Sequence, residues 1–510
     1  MNDTPEQSAI YEAACLTDVN LAVNALAGSG KTHVAVEVAK RIQRGDTRFV
    51  AFNTHIAEEL THRLGDAAVA STLHSVGNRV LNSQRRRRLD SAKYTAILRR
   101  NYPHIHGKNG FLLGEYRSIP KLITVWRNEL VPPDATPAQA ARLLQVPLSA
   151  QGWEYPDDLR HMPEFYQIAG NAVTAGLEDH ITIDFTDMIT MPSYLGLTSH
   201  LADLLIADEA QDFNPAQQEL VSRLAPRTIH VGDPRQAIML FAGASSTSFT
   251  DLTDRLQSRS LPLSTCWRCP TSHLDLARIL VPRITARPGA PVGTITEIHA
   301  QSVGRAVAPG TMVICRNNAP LLGLAYNLMA QRVPCKIRGR DIAAGLESLM
   351  KKLKITRIEQ ITPAVASWRH DQAERLRQRD ATEAVIEAHH DQCDCLESLA
   401  DMVGPTGTLA DITVLLRDLF GDHLDDANTV VLSSIHRAKG SESDTVVVLC
   451  PELLGRARGT MEAQIQEVNL TYIALTRARK HLILADGPRS ERGDTVEWLQ
   501  AMAQGYASND

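Results

Sequence analysis

The sequence lacks several features that would place it in other protein classes. No apolar run reaches the roughly 18 residues that span a bilayer, so we expect no membrane anchor. The first residues are polar and acidic, and we therefore expect no secretory signal. The eight cysteines have no regular spacing, which favours reduced thiols in a cytoplasmic protein. The net charge of −5 gives no overall indication of nucleic-acid binding.

Length and local charge are more informative. A chain of 510 residues is too long to fold around a single hydrophobic core. Its apolar content of 44% is ordinary for a globular protein. Residues 75–130 hold twelve basic and three acidic side chains, a local charge of +9, and a second basic stretch covers residues 351–357. Basic surface favours nucleic-acid binding, although a solvated helical face explains such a cluster equally well.

Short β-rich runs alternate with helical patterns, which predicts an α/β fold with parallel sheets covered by helices. The predicted strands are residues 21–25, 48–53, 204–207, 228–232, 311–316, 429–434, 444–449 and 481–485. Two long helical stretches interrupt this alternation, so we expect two α/β cores with one helical insertion each. The predicted first core is 1–80 and 191–262 around an insertion at 81–190; the second is 263–340 and 426–510 around an insertion at 341–425.

The segment Ala27-Gly28-Ser29-Gly30-Lys31-Thr32 has the pattern of a phosphate-binding loop. It follows the predicted strand 21–25 and opens a predicted helix at 32–41, which is the context that such a loop requires. Backbone N–H groups at a helix N-terminus hold phosphates, while the lysine reaches the β/γ-phosphates and the hydroxyl of the threonine binds Mg²⁺. Ala25 stands where the pattern usually has its first glycine.

Two further polar segments follow predicted strands. Asp208 and Glu209 end an apolar run, where Asp208 would bind Mg²⁺ and Glu209 would deprotonate the attacking water. An acidic helix cap is the alternative for this pair. Asp233 and Gln236 follow the strand at 228–232, and an amide there can contact the γ-phosphate; a polar turn around Pro234 is the alternative.

Two arginines in the second predicted core are candidates for stabilising transferred phosphate. Arg268 and Arg477 would each act as an arginine finger, a group that typically contributes about 10³–10⁵ in rate. A surface salt bridge is the usual role of any single arginine. The candidate catalytic residues are therefore Lys31, Asp208, Glu209, Gln236, Arg268 and Arg477.

In this order, the segments resemble the UvrD/Rep-like superfamily 1 DNA helicases across residues 5–484. The Asn24-to-Thr32 segment is most similar to the F-box DNA helicase branch and its small phage and bacterial relatives. The resemblance implies two RecA-like cores, ATP and Mg²⁺ as cofactors, and a DNA-stimulated ATPase. It also implies 3′→5′ movement on single-stranded or 3′-tailed DNA.

The same resemblance implies roles for individual residues. Gln7 would read adenine, Trp267 would stack on the base in place of the usual Tyr or Phe, and Glu442 would lie near the ribose. The implied DNA contacts are Phe52, Asn53, Thr54, Thr72, His74, Asp184, Phe185, Phe241 and His436. Phe241 replaces the family's usual base-stacking Trp.

Other interpretations remain open on the sequence. The second insertion is shorter than in large family members, which favours a motor subunit that translocates without unwinding. Such a subunit would serve a separate nuclease in recombination, repair or phage defence, since the chain ends soon after Arg477. A P-loop ATPase that acts as a switch or scaffold is a third interpretation, and RNA is an alternative substrate.

The cysteines offer one alternative site. Cys266 and Cys269 have metal-site spacing, and His389-His390 with Cys393 and Cys395 could complete a zinc site. The first pair brackets a candidate nucleotide-contact arginine and the second group falls in another predicted module, which argues against zinc.

Overall fold

The computed structural model describes residues 3–42, 45–51, 53–108, 110–150, 159–198, 201–240, 243–377, 383–420, 426–456, 461–487, 490 and 492–507. The chain forms two compact units. The first comprises Met1–Leu26 and Gly30–Ser264, and the second comprises Ala27–Ser29 and Thr265–Asp510. Two predicted DNA contacts, Phe52 and Phe241, lie outside the described residues.

The first unit contains a six-stranded, wholly parallel sheet in the order β3-β2-β6-β7-β1-β8. Its strands are β1 (Leu21–Ala25), β2 (Thr47–Ala51), β3 (Val69–Thr72), β6 (Leu204–Ala207), β7 (Arg227–Gly232) and β8 (Arg259–Leu263). A separate two-stranded parallel ladder pairs β4 (Arg88–Leu89) with β5 (Thr182–Ile183). Parallel pairing requires crossover connections, and helices supply them.

Both faces of this sheet are buried by helices. The helices of this unit are α1 (Pro5–Leu16), α2 (Lys31–Ile42), α3 (Thr54–Leu64), α4 (Leu73–Gln84), α5 (Lys93–Asn101), α6 (Ile119–Asn128), α7 (Pro137–Ala150), α8 (Met162–Glu178), α9 (Phe185–Tyr194), α10 (Pro215–Leu224) and α11 (Ser248–Arg255). Side chains of α5–α8 form a hydrophobic core of their own, separate from the sheet. Alternate strand residues point to opposite faces. Leu204 and Ile206 therefore pack in the cluster with α1–α3, while Leu205 and Ala207 pack with α4, α10 and α11.

The second unit contains another six-stranded parallel sheet, ordered β11-β16-β15-β12-β14-β13. Its strands are β11 (Thr294–His299), β12 (Met312–Cys315), β13 (Cys335–Ile337), β14 (Val430–Ser434), β15 (Ser443–Leu449) and β16 (Ala478–Asp486). A short parallel ladder joins β9 (Thr265–Cys266) to β10 (Thr285–Ala286). The predicted fold class, two α/β cores of RecA-like type with parallel sheets, is confirmed.

Helices also surround the second sheet. They are α12 (Thr271–Leu280), α13 (Val303–Ala306), α14 (Ala319–Ala330), α15 (Arg340–Lys352), α16 (Ile361–Arg377), α17 (Glu383–Val403), α18 (Leu409–Phe420), α19 (Ile435–Ala438), α20 (Met461–Leu475) and α21 (Thr495–Ala507). Side chains of α15–α18 share one hydrophobic core with β12, β14 and β15. This helical segment is thereby packed onto the sheet of its own unit.

Candidate ATPase and nucleic-acid site

Three neighbouring strands of the first sheet end at the predicted nucleotide site. β6, β7 and β1 are consecutive in the sheet, and their carboxyl ends lead into Asp208, Asp233 and the phosphate-binding loop respectively. Ligands bind at the carboxyl edge of open α/β sheets. The topology therefore gathers segments that are about 200 residues apart in the sequence.

The phosphate-binding loop has the backbone that its sequence suggests. Gly28 and Gly30 have φ angles of 67° and 83°, in the left-handed region where glycine is unstrained. Helix α2 begins at Lys31, so the N-terminus of this helix lies at the end of the loop. The Ser29 hydroxyl is fully buried and has no hydrogen-bond partner among the described residues. A buried polar atom of this kind fits a site that receives an oxygen-rich ligand.

Charged side chains at the ends of β1 and β6 are in direct contact. The Thr32 hydroxyl donates to Asp208 Oδ2 at 2.8 Å, and Lys31 Nζ lies 3.5 Å from Glu209 Oε2. Burial and the neighbouring Glu209 raise the pKa of Asp208 to about 6, against the opposing effect of Lys31. A buried carboxylate beside a hydroxyl is a hard oxygen ligand set, which fits Mg²⁺.

Glu209 has an unusual backbone conformation. Its φ of 55° and ψ of 39° are left-handed, which costs a non-glycine residue about 1 kcal/mol or more. The Glu209 N–H donates to Asp208 Oδ1 at 2.9 Å, which holds the Asp208 carboxylate against the backbone of Glu209. Strain of this kind at the edge of a sheet is typical of a functional residue.

Gln211 has a role that the sequence interpretation missed. Its side chain is fully buried; Nε2 donates to Glu209 Oε2, and Oε1 accepts the Asp233 N–H at 3.0 Å. A Cβ at Gly232 would lie 2.6 Å from Gln211 Oε1, so the glycine leaves room for this amide. Gln236 Nε2 in turn donates to Asp233 Oδ2. One chain of hydrogen bonds thus connects Glu209 to Gln236.

We expect Gln211→Ala to lower kcat by about 10- to 100-fold while KM for nucleotide changes little. The variant loses the group that orients Glu209 and leaves the buried Asp233 N–H without its acceptor. The matched control is Gln217→Ala, a helix-cap glutamine of α10. A parallel fall in both variants would contradict this role for Gln211, and a change in KM alone would assign Gln211 to nucleotide binding.

The second unit holds its predicted nucleotide residues at the amino edge of its sheet. Glu442 directly precedes β15, and Arg477 directly precedes the adjacent β16. Arg268 Nε donates to Glu442, and Arg268 Nη1 donates to the Thr476 carbonyl at 3.3 Å. The structure therefore pairs the predicted ribose contact with a predicted arginine finger.

Arg477 is 1% exposed and bonded to carbonyl oxygens of its own unit. Its Nε donates to the Ile473 carbonyl at 3.1 Å and its Nη1 to the Ser441 carbonyl at 3.3 Å. This fixed setting differs from that of Arg268, whose side chain is 19% exposed. Thr476 connects the two arginines, because its carbonyl accepts from Arg268 and the next residue is Arg477.

Gln7 and Trp267, the predicted adenine contacts, occupy different settings. Gln7 is buried at the start of α1, where its Oε1 accepts the Thr4 N–H at 2.8 Å as part of a capping box. This bond gives Gln7 a structural role in capping α1. Trp267 is half-buried between β9 and α12.

Three of the predicted DNA contacts cap helices at the start of α3, α4 and α9. Asn53 Oδ1 accepts the Ile56 N–H at 2.9 Å, Thr72 Oγ1 accepts the Ser75 N–H at 3.2 Å, and Asp184 caps α9 in a capping box. The predicted strand 48–53 is consequently too long, because Asn53 already caps the next helix. Thr54 begins α3 and is exposed.

The remaining predicted DNA contacts differ in accessibility. Phe185 is 55% exposed, which suits an aromatic ring that stacks on bases. Burial lowers the pKa of His74, and burial with nearby Arg316 and Arg437 lowers the pKa of His436 to about 3. His436 is therefore neutral, and its Nε2 lies 3.4 Å from Gln466 Nε2.

The basic segment of residues 75–130 is only partly a surface. Lys93 and Arg127 are each 2% exposed and pair with Asp187 at 2.7 and 3.0 Å. Arg127 also binds Asp184 at 2.8 Å, so this predicted DNA contact belongs to a buried ion-pair network. Basic side chains that do remain exposed are Arg79, Arg85, Arg86, Arg88, Arg99, Arg100, Lys108, Arg117 and Lys121.

The grouping of metal-ligating side chains and the character of the helices bear on the alternatives. Within those ranges, no three His, Cys, Asp or Glu side chains are grouped to hold a metal ion. Cys266 and Cys269 contact each other, and Cys393 Sγ lies 3.9 Å from His389 Nε2. No described helix combines the length and apolar character needed to traverse a bilayer.

Comparison with known proteins gives matches in both units. Residues 4–257 match the UvrD/REP helicase N-terminal domain family, and residues 429–485 match the UvrD-like helicase C-terminal domain family. F-box DNA helicase protein 1 of Schizosaccharomyces pombe (strain 972 / ATCC 24843) is 23% identical over 539 aligned residues. That alignment covers 95% of this chain and 57% of the relative, so the chain spans little more than half of that protein. The resemblance inferred from the motifs is confirmed, and the chain belongs to the UvrD/Rep-like helicase family.

Proposed function

We propose that this protein is an ATP-dependent DNA helicase that moves 3′→5′ along single-stranded DNA. The observation that carries the proposal is the contact of Lys31 and Thr32, after β1, with Glu209 and Asp208, after β6, at the carboxyl edge of one sheet. Family membership and the name of the Schizosaccharomyces pombe relative, a DNA helicase, support DNA as the substrate.

The phosphate-binding loop and the polar residues that follow β6 would hold MgATP. Ala27 to Gly30 and the N-terminus of α2 would surround the phosphates, with Lys31 at the β/γ-phosphates. Thr32 and Asp208 would bind Mg²⁺, which when bound neutralises charge on the phosphate oxygens. Gln7 and Trp267 are the proposed contacts to adenine, and Glu442 is the proposed contact near the ribose.

Glu209 is the proposed general base. Its side chain is held by Gln211 and lies beside Lys31, which keeps it positioned for the proton of the attacking water. Arg268 and Arg477 would stabilise the charge of the transferred phosphate. For Arg268, binding at phosphate requires exchange of its bond with Glu442.

The DNA strand would contact the segments that follow β2, β3 and β14 and the start of α9. Asn53, Thr72 and Asp184 fix the backbone of those segments through their caps, and Phe185 and His436 supply side-chain contacts. Phe52, Thr54, His74 and Phe241 complete the proposed set. Exposed basic side chains from Arg79 to Lys121 would neutralise phosphates without reading sequence.

The hydrogen-bond chain from Glu209 through Gln211 and Asp233 to Gln236 offers a route for coupling. It connects the proposed base to the segment that continues toward Phe241. Loss of the γ-phosphate at Gln236 would thus affect the segment that carries Phe241, a proposed DNA contact.

A motor subunit that translocates without unwinding, with a separate nuclease or repair partner, is the second candidate. The observation that favours it is the compact α15–α18 segment, which packs into the sheet core of its own unit. Strand displacement on 3′-tailed and 5′-tailed duplexes separates the candidates. The helicase proposal expects ATP-dependent displacement of the 3′-tailed duplex alone, whereas the motor proposal expects ATP hydrolysis on both tails and displacement of neither. Displacement restricted to the 5′ tail would contradict the proposed polarity.

The raised pKa of Asp208 gives a stability prediction for the nucleotide-free protein. A carboxyl whose folded pKa, about 6, exceeds its unfolded value favours the folded state only when protonated. The ionised Asp208 carboxylate therefore destabilises the fold fully above pH 6. This destabilisation is relieved as the pH falls toward 4. We expect Asp208→Asn to raise the unfolding free energy at pH 7.5 by about 1–3 kcal/mol, and to abolish Mg²⁺-dependent turnover. The exposed Asp66→Asn is the control, and an Asp208→Asn protein less stable than this control would contradict the burial account.

A further inference from the structure

The segment that carries Arg268 is bracketed by a pair of cysteines that the proposed mechanism does not use. Cys266 ends β9, and Cys269 lies two residues before the first residue of α12. Both are buried, at 0% and 2% exposure, and no disulfide joins them in the structure. The Cys269 N–H donates to Cys266 Sγ at 3.4 Å, so the bend brings the backbone of Cys269 against the sulfur of Cys266.

The surroundings of Cys266 favour its thiolate. Hydrogen bonding from the Cys269 side chain, followed by bonds from the backbone of Cys269 and Arg268 and by the charge of Arg268, lowers the pKa of Cys266 to about 7 despite burial. The pKa of Cys269 is raised well above its usual value by its bond to Cys266 and by burial. The lowered pKa raises the thiolate fraction of Cys266 at neutral pH, while Cys269 remains a thiol beside it.

The same pair touches the residues around both proposed arginine fingers. Cys269 Sγ donates to the Thr476 carbonyl at 3.4 Å, and Arg268 Nη1 donates to that same carbonyl at 3.3 Å. Thr476 directly precedes Arg477. A change at Cys269 therefore alters the hydrogen bonding of the Thr476 carbonyl. Arg268 donates to the same carbonyl, and Arg477 is the next residue in the chain.

We propose that Cys266 and Cys269 form a peroxide-sensitive dithiol whose oxidation to a disulfide switches off ATP hydrolysis. The Cys266 thiolate attacks one oxygen of hydrogen peroxide, which gives a sulfenic acid and releases hydroxide. The Cys269 sulfur then displaces the sulfenic hydroxyl, the S–S bond forms, and the thiol proton leaves with that hydroxyl as water. The dithiol loses two electrons and the peroxide gains them. Burial of both sulfurs favours this small oxidant over larger disulfides.

The disulfide removes the S–H donor from the Thr476 carbonyl and fixes the chain on both sides of Arg268. Its effect on hydrolysis rests on the proposed ATPase function, but formation of the disulfide does not. A zinc ion held by this pair is the rival occupant.

The test treats the full-length reduced protein with hydrogen peroxide, then alkylates free thiols and maps them by peptide mass spectrometry. We expect the peptide containing residues 266–269 to lose two hydrogens and escape alkylation. ATPase should fall by about tenfold or more in parallel and return with dithiothreitol. Cys266→Ser and Cys269→Ser should each retain ATPase under reducing conditions and resist peroxide. Cys15→Ser, which changes a partly exposed cysteine of the first unit, should respond as the wild type does.

Alkylation of both Cys266 and Cys269 after peroxide would overturn the proposal, as would equal inactivation of Cys269→Ser. Zinc that co-purifies with wild type and is absent from Cys269→Ser would also overturn it. If the serine variants do not fold, mapping on the wild type with its parallel loss of ATPase decides alone. If the reduced protein has no ATPase activity but still forms the disulfide, the proposed function is contradicted. In that case the formation of the disulfide stands, and only the inhibition of ATP hydrolysis fails.

Discussion

Glu209→Gln is expected to bind MgATP with near wild-type affinity and to hydrolyse it about 10²–10⁴-fold more slowly. The amide is isosteric, so it retains the position beside Lys31 and Gln211 but cannot accept the proton of water. Lys31→Ala should fail at the earlier step, with loss of nucleotide binding itself. Fluorescent-nucleotide titration and steady-state ATPase on the same preparations separate these two outcomes.

The control for this pair is Glu58→Gln, which removes an exposed carboxylate from α3. Its binding and turnover should match the wild type. Retained hydrolysis in Glu209→Gln would assign the base elsewhere and leave the left-handed backbone of Glu209 without its functional explanation.

Arg268→Ala is expected to lower DNA-stimulated kcat by about 10³–10⁵-fold, equivalent to about 4–7 kcal/mol of barrier. The guanidinium would act on charge that develops during phosphate transfer, so affinity for ATP should change much less than kcat. Arg477→Lys should show the same pattern, because lysine keeps the charge but loses the planar set of donors.

Arg479→Ala is the matched control for Arg268→Ala. Arg479 also contacts Glu442, at 3.5 Å, and is 47% exposed, so the control loses a guanidinium from the same carboxylate. A loss of activity in Arg479→Ala as large as in Arg268→Ala would show that both changes act through Glu442. Equal effects on KM and kcat/KM without a change in kcat would assign Arg268 to nucleotide binding alone.

The sequence predicted the interior of both sheets and missed their edges. Each of the eight predicted strands is present, because interior strands such as β6 are uniformly buried and read as continuous apolar runs. The four missed strands of the main sheets are β3, β8, β11 and β13, and each is an edge strand. The edge strands β3, β8 and β11 are partly exposed, so their apolar pattern is broken, and β13 is only three residues long.

For the site, the sequence located the residues but not all their relations. Motif spacing placed Lys31, Asp208 and Glu209, since each follows a strand whose apolar run is easy to recognise. Spacing could not show that Gln211 joins Glu209 to Asp233, because the relation depends on room left by Gly232 on a neighbouring strand. Local charge also overstated the basic surface, since Lys93 and Arg127 are buried with Asp187.

The central claim is that ATP hydrolysis in this protein serves movement on DNA. Its most direct test is the steady-state ATPase rate of the reduced protein with and without a single-stranded DNA oligonucleotide. We expect a low basal rate that rises by at least about tenfold with DNA, and a Glu209→Gln protein that remains inactive in both conditions. A wild-type rate that is the same with and without DNA would contradict the account.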